Sequence, residues 1–200
     1  TKEINLNLIG KVQIKNILMA MIAAKKSNID FKDILNVISK IKPVEGRLEK
    51  IGRIKNQSKV ILDYAHTPEA LKTCLLNLRE QFPDRKISIV FGCGGDRDQN
   101  KRSKMGRIAD NYSDKIYLTD DNPRFEKPIN IRKDIKKGIK RKIFAEIPDR
   151  AKAIIESIKN LNTGEILLVA GKGHEKIQVI KDKKNYFSDK KIILKSIRIK

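Results

Sequence analysis

Glu165-Ile166-Leu167-Leu168-Val169-Ala170-Gly171-Lys172-Gly173-His174-Glu175 is the stretch on which the fold turns. A short, uninterrupted apolar run reads as a strand that is covered on both faces. Glycines close it, and a polar turn carrying Lys, His and Glu follows. Upstream the same design repeats. Lys59–Leu62 is a short apolar strand ending at Asp63, Lys86–Phe91 is closed by Gly92-Cys93-Gly94-Gly95, and Lys115–Thr119 and Lys142–Glu146 supply two more strands. Helical stretches separate them: Pro68–Arg79, with Pro68 and Glu69 in its first turn, Ser103–Asn111, Ile131–Gly138 and Asp149–Lys159. Residues 176–187 read as a small hairpin and Asp189–Leu194 as a last helix. Strands alternating with helices imply an α/β fold, a doubly wound, mostly parallel sheet with right-handed crossovers.

Before this rhythm begins, residues 12–25 read as a buried helix, and residues 31–40 as an amphipathic one with Phe31, Ile34, Leu35 and Ile38 on one face. Pro43 breaks the pattern and Gly46 follows, so a domain boundary is expected there, dividing 1–43 from 44–200. The N-terminus, Thr1-Lys2-Glu3-Ile4-Asn5, is not a secretory signal; it lacks an initiator Met and reads as part of something longer.

The 200 residues are 40% hydrophobic and 34% charged, which suits a soluble globular chain with a real core. No apolar run approaches a membrane span, so membrane insertion is not expected. Two cysteines, Cys74 and Cys93, make neither a disulfide framework nor a zinc site, and their use fits a reducing cytoplasm. Cys74 reads as core. Cys93 lies in a glycine turn with no adjacent basic residue to activate it, which argues against a catalytic thiol and leaves its role open. The net charge of +21 invites a nucleic-acid partner. The excess is dispersed Lys accompanied by heavy Ile and Asn use, and the four Tyr and six Phe form no stacking platform, so no specific nucleic acid is expected.

In doubly wound sheets ligands bind beyond the carboxyl ends of the strands. There the chain places Asp63-Tyr64-Ala65-His66-Thr67-Pro68, Gly92–Asp98, Thr119-Asp120-Asp121-Asn122-Pro123-Arg124 and Gly171–Glu175, and its two histidines, His66 and His174, both fall in these turns. Each turn alone has a plain structural explanation: tight glycine turns, Asp-Asn-Pro turn chemistry, capping histidines. Four charged turns on one edge point to a site. Gly171-Lys172-Gly173-His174 lacks the spacing of a phosphate-binding P-loop, and no carboxylate cluster has metal-ligand spacing. Machinery for nucleotide and magnesium is therefore expected mostly elsewhere.

These four motifs, in order and spacing over residues 44–200, resemble the motif series of the Mur ligases, and among them of those that add the third residue of the peptidoglycan stem peptide. Residues 10–43 are more loosely similar to the last helices of the family's central ATPase domain; Val12-Gln13 stands before Asn16 where the family often has Phe-Asn. The resemblance implies a Rossmann-like C-terminal domain preceded by a short helical remnant of the central domain. It implies an ATP- and Mg2+-dependent amide-bond ligase, cytoplasmic and monomeric, that joins meso-diaminopimelate to UDP-MurNAc-L-Ala-D-Glu through an acyl phosphate. It also implies that this chain, without P-loop, carbamylated lysine or most magnesium ligands, is inactive alone, with no catalytic residue assigned within it.

Family roles would put Asn16 near the adenine and Arg47, Asp63 and His66 facing the nucleotide. Arg97, Asp121, Asn122, Pro123, Arg124, Gly171 and Glu175 would hold the amino acid; no role is assigned to His174. Arg124 stands at the fourth position of its motif, where lysine-adding relatives lack the Arg, and a planar fork suits the extra carboxylate of diaminopimelate. Rival readings are another Mur-like ligase, of the folylpolyglutamate or cyanophycin synthetase type, and a basic nucleic-acid-binding module, which would show steep salt dependence and ignore diaminopimelate.

Overall fold

A computed structural model describes residues 3–199 except 5, 7, 53, 55, 56, 142 and 143. Fifteen elements run in the order α1 (Lys11–Lys26), α2 (Phe31–Ile38), β1 (Glu49–Ile51), β2 (Lys59–Asp63), α3 (Pro68–Gln81), β3 (Ile87–Phe91), α4 (Asn100–Tyr112), β4 (Lys115–Leu118), α5 (Pro128–Lys136), β5 (Phe144–Glu146), α6 (Arg150–Lys159), β6 (Ile166–Ala170), β7 (Ile177–Ile180), β8 (Lys183–Tyr186) and α7 (Asp189–Ile199) among the described residues. Six strands form one sheet in the order β1-β2-β6-β3-β4-β5. Every neighbouring pair is parallel except β1 with β2.

The opening stretch of the sequence is the centre of this sheet. β6 lies between β2 and β3, with Leu168 opposite both Ile61 and Ile89. All five of its side chains are buried. Alternation sorts them between two cores. Ile166, Leu168 and Ala170 join Leu71, Leu75 and Leu78 of α3, Met105 and Ala109 of α4, and Ile131 and Ile135 of α5. Leu167 and Val169 join Ala153, Ile154 and Ile158 of α6 and Ile193 of α7. The sheet is thus covered on both faces, which is why β6 tolerates no polar residue. Each of its large side chains, fully buried, contributes about 1.5–3 kcal/mol.

The expected doubly wound, mostly parallel sheet is present. Some details differ or lie outside the described residues. Strand β1 was not legible: Glu49-Lys50-Ile51 is three residues at an edge, with only Ile51 fully buried. Of the strand expected over 142–146, the first two residues fall outside the described residues. Helix α1 forms where expected but is not buried: none of its side chains is, and Leu18, Met19 and Ile22 are exposed. On α2, Ile34 and Ile38 are buried while Phe31 is exposed. An apolar periodicity shows that a helix can be covered, not what covers it. No helix among the described residues is long and apolar enough to cross a membrane.

Candidate functional site

Because β2, β3, β4 and β6 are parallel, the turns after them converge on one edge. They enclose a cleft of about 510 Å³ lined by Tyr64, His66, Thr67, Gly92, Cys93, Gly94, Arg97, Asp98, Lys101, Asp121, Asn122, Arg124, Gly171 and Glu175. Six of the seven residues expected to hold an amino acid line it. The seventh, Pro123, is buried within the turn itself.

The turns after β3 and β4 pack backbone to backbone. Gly95 N donates to Asn122 O at 2.9 Å, and a Cβ on Gly95 would lie 2.0 Å from Pro123 O, so only glycine fits. Arg124 has φ +50°, an uncommon conformation for a residue with a side chain. It is held by Arg124 N donating to Val179 O (3.1 Å) and Lys181 N donating to Arg124 O (2.8 Å), which tie the turn to the β7–β8 hairpin. The guanidinium is half-buried, and its Nη1 donates to Gly95 O at 2.8 Å and Asn122 O at 3.4 Å. One prong of the fork is therefore anchored to backbone. Arg97 is exposed at the rim.

The floor is more tightly built. Asp121 and Asn122 are buried. Gln178 Nε2 donates to Asp121 O at 2.7 Å. Asn122 Oδ1 accepts from Val179 N at 3.0 Å and from Lys172 Nζ at 2.8 Å. Gly171, at φ +114°, would carry a Cβ 3.0 Å from Asp121 Oδ2; without one the carboxylate stays open to the cleft.

Two fully buried cations stand behind this floor, and sequence reasoning assigned neither a role. Lys172 lies within the Gly171–Glu175 turn. Arg150 opens α6 and pairs with Asp189 at 2.7 Å, both side chains being fully buried. It also donates to Ala170 O at 2.9 Å, and its Nη1 lies 3.8 Å from Asp121 Oδ2. A signal was available, since a cation in the first turn opposes the helix dipole and needs a local reason.

The residues expected to face a nucleotide are less unified. The Arg47 guanidinium lies 4.8 Å over the Tyr64 ring, which also meets the rings of His66 (4.6 Å) and His174 (5.3 Å). His66 Nδ1 is 2.8 Å from Tyr64 O. Burial, reinforced by the Glu175 carboxylate, pushes the Tyr64 phenol up, so it stays a neutral donor near neutral pH. Asp63 is not in the cleft. It is buried beneath, its two oxygens accepting from Leu48 N and Ala65 N, each at 2.7 Å. Asn16 is exposed on α1 and does not line the cleft. Cys93 is 4% exposed, and burial pushes its thiol up to about 12, which suits packing rather than nucleophilic chemistry. Cys74 is likewise buried in the core. No group of three or more His, Cys, Asp or Glu among the described residues is arranged to hold a metal ion.

The cleft offers two arginines at its rim and two carboxylates and an amide at its floor. That set matches a ligand carrying both carboxylate and ammonium. Residues 46–173 match a family profile described as "Mur ligase, glutamate ligase domain". A relative from Rickettsia felis, named UDP-N-acetylmuramoyl-L-alanyl-D-glutamate--2,6-diaminopimelate ligase, is 42% identical over 197 residues, 98% of this chain and 36% of its own. A Buchnera aphidicola relative of the same name is 46% identical over 198 residues, 98% of this chain and 39% of its own. A solved structure of a ligase with that name is 34% identical, with TM-score 0.77, covering 98% of this chain and 40% of that one. Folylpolyglutamate synthase from Thermotoga maritima shares the fold at 23% identity and TM-score 0.65, over 86% of this chain and 38% of that one. The chain thus spans about two fifths of the relatives it matches.

Proposed function

We propose a function from the premise that the family match establishes: this chain belongs to the Mur ligase family, as a carrier of its glutamate ligase domain. In this reading it is the C-terminal part of an ATP-dependent ligase that adds meso-diaminopimelate to UDP-MurNAc-L-Ala-D-Glu in the cytoplasm, working as a monomer without a specific nucleic-acid partner. Residues 44–200 are the amino-acid-delivering domain, and residues 1–43 are the end of a central ATPase domain. The rest of that domain would cover the apolar face that α1 presents. The observation that carries the proposal is the single cleft joining Arg97, Asp121, Asn122, Arg124, Gly171 and Glu175.

The chemistry has two steps. The D-Glu carboxylate is activated as an acyl phosphate at the expense of ATP, releasing ADP. The amine of the incoming amino acid then displaces phosphate, forming the amide and losing a proton. Among the described residues no group of three or more His, Cys, Asp or Glu is arranged for a metal ion, and in this reading Mg2+ belongs to the upstream domain. This domain supplies position. Asp121 and Glu175 accept from an ammonium of the amino acid, and Arg124 and Arg97 hold a carboxylate, presenting the reacting amine to the acyl phosphate. Pro123 shapes the turn that carries Arg124. Arg47 and His66, beside Tyr64, face the nucleotide. Asp63 supports that loop from below, through the amides of Leu48 and Ala65, and Asn16 reaches the adenine from α1.

Selectivity rests on Arg124. With Nη1 anchored to Gly95 O, the rest of the guanidinium is presented to the second carboxylate of diaminopimelate. Lysine, lacking that carboxylate, would leave a half-buried cation unpaired. The folylpolyglutamate-type reading is not favoured, because likeness to those enzymes is one of fold at low identity. The test is phosphate release by the ligase completed with its upstream domains, given UDP-MurNAc-L-Ala-D-Glu and ATP. Turnover is expected with meso-diaminopimelate and not with L-lysine, and Arg124→Lys should lose it. Preference for lysine would sink the selectivity argument; no turnover with either would sink the ligase.

A further inference from the structure

Lys172 is the fully buried cation closest to the chemistry, and the proposed function gives it no role. Its Nζ lies 2.8 Å from Asn122 Oδ1, 3.3 Å from Glu175 Oε2 and 3.9 Å from Asp121 Oδ1. All three partners line the cleft, whereas Lys172 does not. It therefore acts on a ligand only through them. A buried ammonium is costly unless well paired, and here its pairing falls on the floor of the site.

Two consequences follow from this geometry. The first is charge. Asp121 and Glu175 together carry two negative charges, and Lys172 offsets one. Arg150, the second buried cation behind the floor, is already matched by Asp189 at 2.7 Å. The floor is left with one net negative charge, the complement of a single ammonium. The second is orientation. Asn122 Oδ1 is occupied by Lys172 Nζ and by Val179 N at 3.0 Å, so the amide must turn Nδ2 the other way, towards Glu175 at 3.4 Å. Asn122 is thereby fixed as a donor at the cleft.

We propose that Lys172 is a positioning residue that sets the amino-acid specificity of the cleft. By locking Asn122 as a donor and balancing one of two carboxylates, it matches the floor to a zwitterionic α-amino-acid head rather than to a bare amine. The proposal rests on the ligase reading above. Without this ammonium the floor holds two uncompensated carboxylates and a rotatable amide. It then loses its grip on a head bearing a carboxylate and gains relative affinity for a head bearing only an ammonium.

The test uses Lys172→Met, which keeps the stem volume and removes the charge, in the completed ligase. The KM for meso-diaminopimelate should rise about 10- to 100-fold, the range for losing a charged hydrogen bond. The KM for ATP should stay within about twofold, and discrimination against L-lysine should fall about tenfold or more. A merely structural lysine would raise every KM together, and that result overturns the proposal, as does an unchanged KM for meso-diaminopimelate. Should the variant fail to fold, the wild-type enzyme still decides. The 15N-resolved ammonium signal of Lys172, long-lived because it is buried, should shift on addition of meso-diaminopimelate and not of ATP; a signal indifferent to bound diaminopimelate overturns the proposal. A wild-type enzyme that ignores diaminopimelate altogether brings down the ligase reading first, and this inference with it.

Discussion

A methyl group added at Gly95 would sit 2.0 Å from the Pro123 carbonyl oxygen, against backbone that has no rotamer to escape into. The motif Gly92–Asp98 thus needs glycine for space rather than for an unusual φ. Gly95→Ala should destabilise the chain by about 1–3 kcal/mol, the range for overpacking, and displace Arg124, whose Nη1 bonds to the carbonyl of the same residue. Thermal unfolding and diaminopimelate binding, measured together, check this. A variant with wild-type stability and binding would show that the turn can open. The family resemblance assigns Arg97, Asp121, Asn122, Arg124, Gly171 and Glu175 to one ligand, and the fold brings all six to one cleft, because turns after parallel strands share an edge. Asp63, which the resemblance turns toward the nucleotide, lies outside that cleft. Its oxygens are occupied by two backbone amides, a fact of the fold around it that no motif states.

Between elements, Arg102 of α4 is one of the side chains that couple segments. It is 1% exposed; its Nη2 donates to both Glu126 oxygens at 2.7 and 2.9 Å, and its Nη1 donates to Asp134 of α5 at 3.1 Å. The loop that bears Arg124 is thereby clamped to two helices. The Arg102 guanidinium holds the Glu126 carboxyl below its ordinary value of 4.5. A depressed carboxylate contributes stability that is fully present above its unfolded value and is lost as pH falls through the folded one. Acid should therefore loosen this clamp from about pH 4.5 downwards. Glu126→Gln should unfold with a shallower pH dependence in that range; an acid-unfolding curve parallel to wild type would remove Glu126 from the account. The same scale explains why β1 escaped notice. An edge strand buries little, so its sequence carries almost no pattern, whereas β6, packed on both faces, is apolar throughout.

Across the whole molecule the contrast is between a sheet covered on both sides and a first helix, α1, that buries none of its side chains. Met19 is 69% and Ile22 58% exposed on α1. Met19→Glu with Ile22→Lys should leave the melting temperature of this chain nearly unchanged, since exposed substitutions usually fall within about 0.5 kcal/mol. The same pair should weaken the completed ligase, where the proposal has this face covered. A large loss of stability in the chain alone would mean that α1 is supported internally after all. The sequence by itself determined the doubly wound sheet, the edge on which its charged turns converge and the residues gathered there. Alternating apolar runs and closing turns are local patterns, and parallel strands leave one edge for the turns to share. Tertiary structure alone decided which polar groups are spent inside the protein and which face outward. It buried Asp63 on backbone amides, anchored one prong of Arg124, left α1 uncovered, and set Lys172 and Arg150 behind the floor. Those outcomes depend on distances between segments far apart in the chain, and the free energy of a charge depends on its partners in space, not on its neighbours in sequence.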